Sequence, residues 1–301
     1  MHKKTLMAAA FAAAIASSGA YAADAAPAPE AKSPYTLTGN FGVFSQYIFR
    51  GLTQTGHSPA AQGGFDLSHE SGFYAGTWLS NISWLKENAS TPARVQGTYG
   101  EGGSLEWDVY GGYKWNLPND VVLDLGTLYY YYPGNVNTAN VAPVGTPDAN
   151  TWEIYIAPTW KFLSAKYSYS VLNNTFGTAS SRGTSYLDLS ANYPIEDTGF
   201  TLIAHWGWQK YKGTSIAQNP TAGGVPISND ALLSYKDVKL GASYALPKDF
   251  TVGAYWTKLY NYNNAGYGGT GDAVGGLNVT SGPYPNNIGK STGTVYIQKT
   301  F

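Results

Sequence analysis

Apolar and polar residues alternate with a period of two through most of this chain, and that rhythm constrains its fold more than any motif does. In "SLEWDVYGGYKW", Ser104 to Trp115, one face collects Leu105, Trp107, Val109, Tyr113 and Trp115, while the other carries Glu106, Asp108, Tyr110 and Lys114. Successive side chains of a strand point to opposite faces, so period two means β-structure with one apolar and one polar face. The pattern returns in "DVVLDLGTLYYYY", "TWEIYIAPTWKF" and "AKYSYSV". Nothing downstream of the N-terminal apolar run reaches the roughly 18 consecutive apolar residues of a membrane helix.

The connectors sort by length. Short polar ones fall at Glu70–Gly72, Asn116–Asn119, around Leu163, at Pro194–Gly199 and at Pro247–Asp249. Between them lie longer Gly/Asn/Pro/Thr-rich segments: Gly51–Ser58, Leu85–Gly103, Pro133–Asn150, Asn173–Thr184, Lys212–Leu232 and Asn261–Thr292. A soluble sandwich has no reason to sort its loops this way, and its dry core would not face Glu106, Asp108, Asp124, Glu153 and Lys161. In hydrocarbon every backbone N–H and C=O must be paired internally, which strands achieve only in a closed barrel. The expected fold is therefore all-β: a transmembrane antiparallel β-barrel of about 12 strands over residues 36–301, with short periplasmic turns and long extracellular loops. The composition agrees, with 15% aromatic residues against only 12% charged. Tyr and Trp suit the headgroup zone, and Trp115, Trp152, Trp160, Trp206 and Trp208 stand near predicted strand ends.

Both ends of the chain carry address-like segments. Lys3 and Lys4 precede the apolar run "TLMAAAFAAAIASSG", and Ala20, Tyr21 and Ala22 supply small residues for cleavage, so residues 1–22 read as a signal peptide. Residues 23–35, "ADAAPAPEAKSPY", read as a flexible Ala/Pro-rich lead-in. At the other end "GTVYIQKTF" closes on Phe301, with Val295 and Ile297 at alternate positions and Lys299 as a departure. This resembles the C-terminal strand read by the bacterial outer-membrane insertion machinery, and it is expected to pair beside the first strand, Thr36–Arg50.

That first strand carries a wider resemblance. "FSQYIFRGLTQT", Phe44 to Thr55, followed by "PAAQGGFDLSHESGFYAGTWLSN", Pro59 to Asn81, resembles the opening of the TorF-type porin family, exported proteobacterial proteins otherwise of unknown function. The likeness is sharpest over Gly39–Asn81 and continues afterward only in the strand rhythm and the terminal Phe. It implies a bacterial outer-membrane barrel and a channel, with outer-membrane lipid and lipopolysaccharide around it, and it supplies no catalytic residues.

Strand parity sends Arg50, Asp66, Glu106, Asp108, Lys114, Asp124, Glu153, Lys161, Lys166, Asp188, His205, Asp237 and Lys239 inward as pore-lining residues. Barrels of about 12 strands enclose a narrow lumen, and acids outnumber bases in this set. The expected activity is passive diffusion of small polar solutes with weak cation preference. Inward glycines at 112, 126, 207 and 241 point to an open lumen, while Tyr110, Tyr130, Tyr155 and Tyr255 can obstruct it. The other readings are a plugged structural or surface-receptor barrel and an outer-membrane hydrolase.

Other chemistries find little support. The chain has no Cys, which excludes disulfides, thiolate metal sites and thiol catalysis. A net charge of −1 supplies no basic field for nucleic acid. His69-Glu70 lacks the second His of a zincin motif, no Gly-x-Ser-x-Gly occurs, and nothing has metal-loop spacing. "GYGGTG", Gly266 to Gly271, matches a dinucleotide fingerprint only in letters, since no strand–helix context surrounds it. No cofactor, metal or catalytic group is expected.

Overall fold

The computed structural model describes residues 33–88, 103–134, 148–219, 223–267 and 287–301. The expected signal peptide, most of the lead-in and most of the "GYGGTG" match lie outside the described residues.

In chain order the elements are β1 (Tyr35–Phe44), β2 (Ile48–Phe49), β3 (Leu52–Thr53), β4 (Ala60–His69), β5 (Phe73–Asn81), α1 (Trp84–Asn88), β6 (Leu105–Leu117) and β7 (Val121–Tyr131). Then come β8 (Thr151–Trp160), β9 (Leu163–Ser170), β10 (Asn174–Thr175), β11 (Thr178–Ala179), β12 (Ser185–Pro194) and β13 (Phe200–Lys210). The chain finishes with β14 (Thr214–Asn219), β15 (Gly223–Ser228), α2 (Asn229–Leu233), β16 (Tyr235–Leu246), β17 (Phe250–Tyr260), α3 (Asn264–Tyr267) and β18 (Thr292–Thr300). Twelve of the strands close an antiparallel barrel in the order β1-β18-β17-β16-β13-β12-β9-β8-β7-β6-β5-β4, returning to β1.

Each pair meets at one end through a tight turn whose residues suit it. Asn119 and Asp120 between β6 and β7 have φ of 64° and 61°, and Lys248 and Asp249 between β16 and β17 both have φ of 60°. Two consecutive left-handed residues give the hairpin turn whose twist matches its strands. The other end carries the long connections. Three of these contain strand pairs of their own, β2–β3, β10–β11 and β14–β15, the last two where the sequence suggests only loop.

The outer surface is apolar. Leu37, Phe41, Phe65, Val109, Ile154 and Ile156 point outward from mid-strand, and Val295 is 61% exposed. Trp107, Tyr131, Trp152, Trp208 and Trp256 ring the long-loop end, with Trp115, Trp160, Tyr193, Phe200 and Tyr244 at the short-turn end. Burying a large apolar side chain is worth about 1.5–3 kcal/mol, so so continuous a belt demands hydrocarbon rather than water. Barrel strands of 8 to 13 residues match the roughly 9–11 that cross a bilayer.

The C-terminal strand closes the seam. Gly39 N–H donates to Phe301 O at 2.6 Å, Phe301 N–H returns to Gly39 O at 2.9 Å, and the Phe301 ring packs edge-on to Phe65. Lys299 lies on the same outward face, yet its Nζ bends to the short-turn rim and donates to Lys248 O at 2.6 Å. Its stem covers apolar wall while its charge leaves the belt, which accounts for the departure seen in the terminal strand.

Candidate functional site

The strand alternation stops at Phe44, and the chain turns into the barrel instead of rising from its rim. Arg50 and Gly51, with φ of 47° and 79°, form the two-residue tip of the β2–β3 hairpin, a conformation that favours Gly at one position and strains Arg at the other. The first strand therefore ends at Phe44 rather than Arg50, and Arg50 reaches the interior on a hairpin tip rather than on the wall.

The tip crosses the lumen. Arg50 Nη2 lies 2.7 Å from Glu153 Oε2 on β8, its Nη1 donates to Gln209 Oε1 on β13 at 3.0 Å, and its guanidinium stands over the Tyr186 ring of β12. These strands lie on the far side of the ring from β1. Arg50 and Glu153 side chains are only 7% and 2% exposed, so the pair is desolvated as well as bidentate. Behind the tip, Tyr47 hydroxyl donates to Glu106 at 2.6 Å and stacks edge-on against Trp78, while Phe49 meets Tyr130 and Phe176. Trp84, Tyr132, Tyr211, Tyr235 and Tyr267 complete an apolar cluster under the long loops.

Beneath this cap is a cavity of about 480 Å³, bounded by Arg50, Trp78, Asp108, Lys166, His205 and Lys239 among others. On one wall His205 binds two carboxylates, its Nδ1 3.2 Å from Asp188 and its Nε2 3.0 Å from Asp237. Ser190 Oγ donates to Asp188 at 2.5 Å and lies 3.1 Å from His205 Nδ1. A Ser–His–Asp composition is thus present, but a nucleophilic triad needs an imidazole nitrogen free to take the serine proton. Here a carboxylate faces each ring nitrogen and the hydroxyl already donates elsewhere, so the cluster is an electrostatic clamp.

Towards the short turns the interior carries Tyr–Asp pairs. Tyr110 donates to Asp66 and Tyr74 to Asp124, each at 2.7 Å, and Lys114 Nζ stands over the Tyr74 ring. Inward glycines serve these rings rather than leaving space: Gly126 lies against the hydroxyls of Tyr155 and Tyr74, and Gly207 against Tyr186 and Asp237. A β-carbon at either position would displace its neighbour.

Of the thirteen residues assigned inward by parity, Lys161 lies elsewhere. It occupies the turn between β8 and β9 with φ of 54°, exposed, its Nζ 5.0 Å from the Trp160 ring. Parity ends where a strand ends, and β8 ends at Trp160. Asp66, Glu106, Asp108, Asp124, Glu153, Lys166, Asp188, His205, Asp237 and Lys239 are drawn into the interior, with Lys114 exposed and its Nζ over the Tyr74 ring. Sequence reasoning missed Tyr47, Trp78 and Ser190. Ser190 shares the parity of Asp188, but Trp78 lies in a strand with aromatics on both faces, and Tyr47 lies beyond the last alternating residue.

A family model described as a bacterial protein of unknown function, Gcw_chp, matches residues 28–301. The chain belongs to the Gcw_chp family. That match carries the uncharacterised-family part of the resemblance seen at Phe44–Asn81, and not the TorF-type name. No curated protein matches the chain. Among solved structures, the chain is similar to the KdgM porin at 8% identity and a TM-score of 0.46, covering 88% of this chain and 99% of that one. It is similar to the NanC porin at 13% identity and 0.45, covering 88% and 99%. It is also similar to the Pseudomonas putida toluene transporter TodX at 9% and 0.43, covering 88% of each. The barrel assignment rests on this chain's own strand pairing.

Proposed function

We propose that the protein is a bacterial outer-membrane channel that passes small hydrophilic solutes passively through a narrow lumen with weak cation preference. The observation that carries this reading is a closed barrel, apolar outside, whose charged interior holds a cavity of about 480 Å³ beneath an inward hairpin. Only such a barrel spans hydrocarbon with strands, and the split between tight turns and long loops orients the turns to the periplasm. Export through a cleaved leader over residues 1–22 and insertion through the strand ending at Phe301 belong to the same reading, as does a surround of outer-membrane lipid and lipopolysaccharide. With Lys161 in a turn, the excess of acids over bases along the solute path grows, which supports the cation preference.

A second reading, a plugged structural or receptor barrel, is favoured by the cap that Tyr47, Phe49 and Arg50 form across the long-loop end. Swelling of liposomes carrying the refolded barrel separates the two. Entry of arabinose but not raffinose, with a mildly cation-selective reversal potential, supports the channel; liposomes impermeable to both support the plug.

A further inference from the structure

The charges around the cavity are unevenly satisfied. Arg50 is neutralised by Glu153, and Asp188 and Asp237 share His205. Asp108 is different: only 7% exposed, its Oδ1 is buried with no hydrogen-bond partner. A buried carboxylate left with an unpaired oxygen is destabilised, and beside a cavity a donor group entering it relieves that cost. Trp78 stands directly opposite Asp108 in the β5–β6 register, and both bound the cavity. An indole face beside a carboxylate is a setting that attracts ammonium groups.

Another wall presents the opposite charge. Lys166 on β9 and Lys239 on β16 also bound the cavity, and among the described residues neither ammonium lies within 4.0 Å of a carboxylate. Each instead stands over a tyrosine ring, Lys166 Nζ at 3.7 Å from Tyr155 and Lys239 Nζ at 4.9 Å from Tyr255. The cavity is thus bounded by a carboxylate with an unpaired oxygen and by two ammonium groups that make no direct ion pair. Its volume lies within the roughly 300–1,000 Å³ of small-molecule sites.

We infer that this cavity is a binding subsite for a small zwitterion of the α-amino-acid class, its ammonium group held by Asp108 and Trp78 and its carboxylate by Lys166 and Lys239. The inference rests on the lumen being a solute path and names the solute that path favours. A neutral sugar would satisfy neither unpaired charge, and a simple anion or cation would satisfy only one.

L-Serine titrated calorimetrically into the detergent-folded full barrel tests the site without requiring current. Saturable binding is expected, with ethanolamine and glycolate, which carry one charge each, bound at least about tenfold more weakly, as loss of a charge-assisted contact implies. Asp108→Asn and the double change Lys166→Met with Lys239→Met should each weaken serine about tenfold or more, and Lys166→Arg with Lys239→Arg should restore it. Heat-modifiable gel migration shows which variants are folded, and the wild-type comparison of serine with its single-charge analogues needs no variant. Absence of saturable serine binding, or equal binding of ethanolamine or glycolate, overturns the inference. In planar bilayers serine should reduce the current; a barrel that conducts KCl yet binds no serine keeps the channel and loses the subsite, whereas serine binding without KCl current keeps the subsite and loses the channel.

Discussion

The two ends of this barrel solve the same problem in opposite ways. At the short-turn end, hairpins close in two to five residues, and interior carboxylates such as Asp66 and Asp124 are met by tyrosines from the wall itself. At the long-loop end the wall supplies carboxylates whose shortest contacts come from the inserted segment: Glu106 and Glu153, each 1% exposed, are held by Tyr47 and Arg50, with Tyr130 of the wall as a further, longer donor to Glu153. On the channel reading, the constriction then belongs to the long-loop half, where an inserted segment rather than the wall crosses the lumen.

The largest expected effect follows from removing that segment. Replacing residues 46–57 with a short Gly/Ser link should raise single-channel conductance several-fold; unchanged conductance would put the constriction in the Tyr-lined half instead. Next in size is Glu153→Gln, which leaves the Arg50 guanidinium buried without its counter-charge, at a cost of about 3–5 kcal/mol. Hydrogen exchange at Phe49–Thr53 should accelerate accordingly, whereas Asp124→Asn in the other half should leave those amides protected.

A smaller effect separates the halves by pH. Burial, together with the nearby Lys290 ammonium, holds His57 on the hairpin segment below the ordinary imidazole range despite the opposing influence of Glu87. The docked hairpin therefore resists a proton that the released hairpin accepts. Docking should be fully favoured above about pH 6.5 and weaken as pH falls through it. Conductance should rise between pH 7 and pH 5, and His57→Gln should flatten the profile. The smallest effect concerns α2, where Asp230 is partly buried, which raises its acidity constant's pKa, yet hydrogen bonds from Lys210 and Ser234 bring it below the ordinary carboxylate range overall. This exposed pair is present at neutral pH and lost in acid below about pH 4; Asp230→Asn should cost less than about 1 kcal/mol at pH 7 and leave conductance alone.

The wall was legible in the sequence and the cap was not. Alternation in Ser104–Trp115 and the length-sorted connectors specify strand, face and closure, because each is a local property repeated around a ring. The hairpin breaks the alternation after Phe44, and what its residues do depends on Glu153 and Gln209, more than a hundred positions away. The same limit explains the glycines, whose neighbours Tyr155 and Tyr186 sit on adjacent strands. Lys161 shows the complementary error, a local rule carried one residue past its strand.

The most direct measurement is single-channel current through the refolded barrel in a planar bilayer under a KCl gradient. Discrete small steps with a mildly cation-selective reversal potential are the expected result. A correctly folded barrel that inserts and carries no current would contradict the channel, and marked anion selectivity would contradict the charge assignment of its wall.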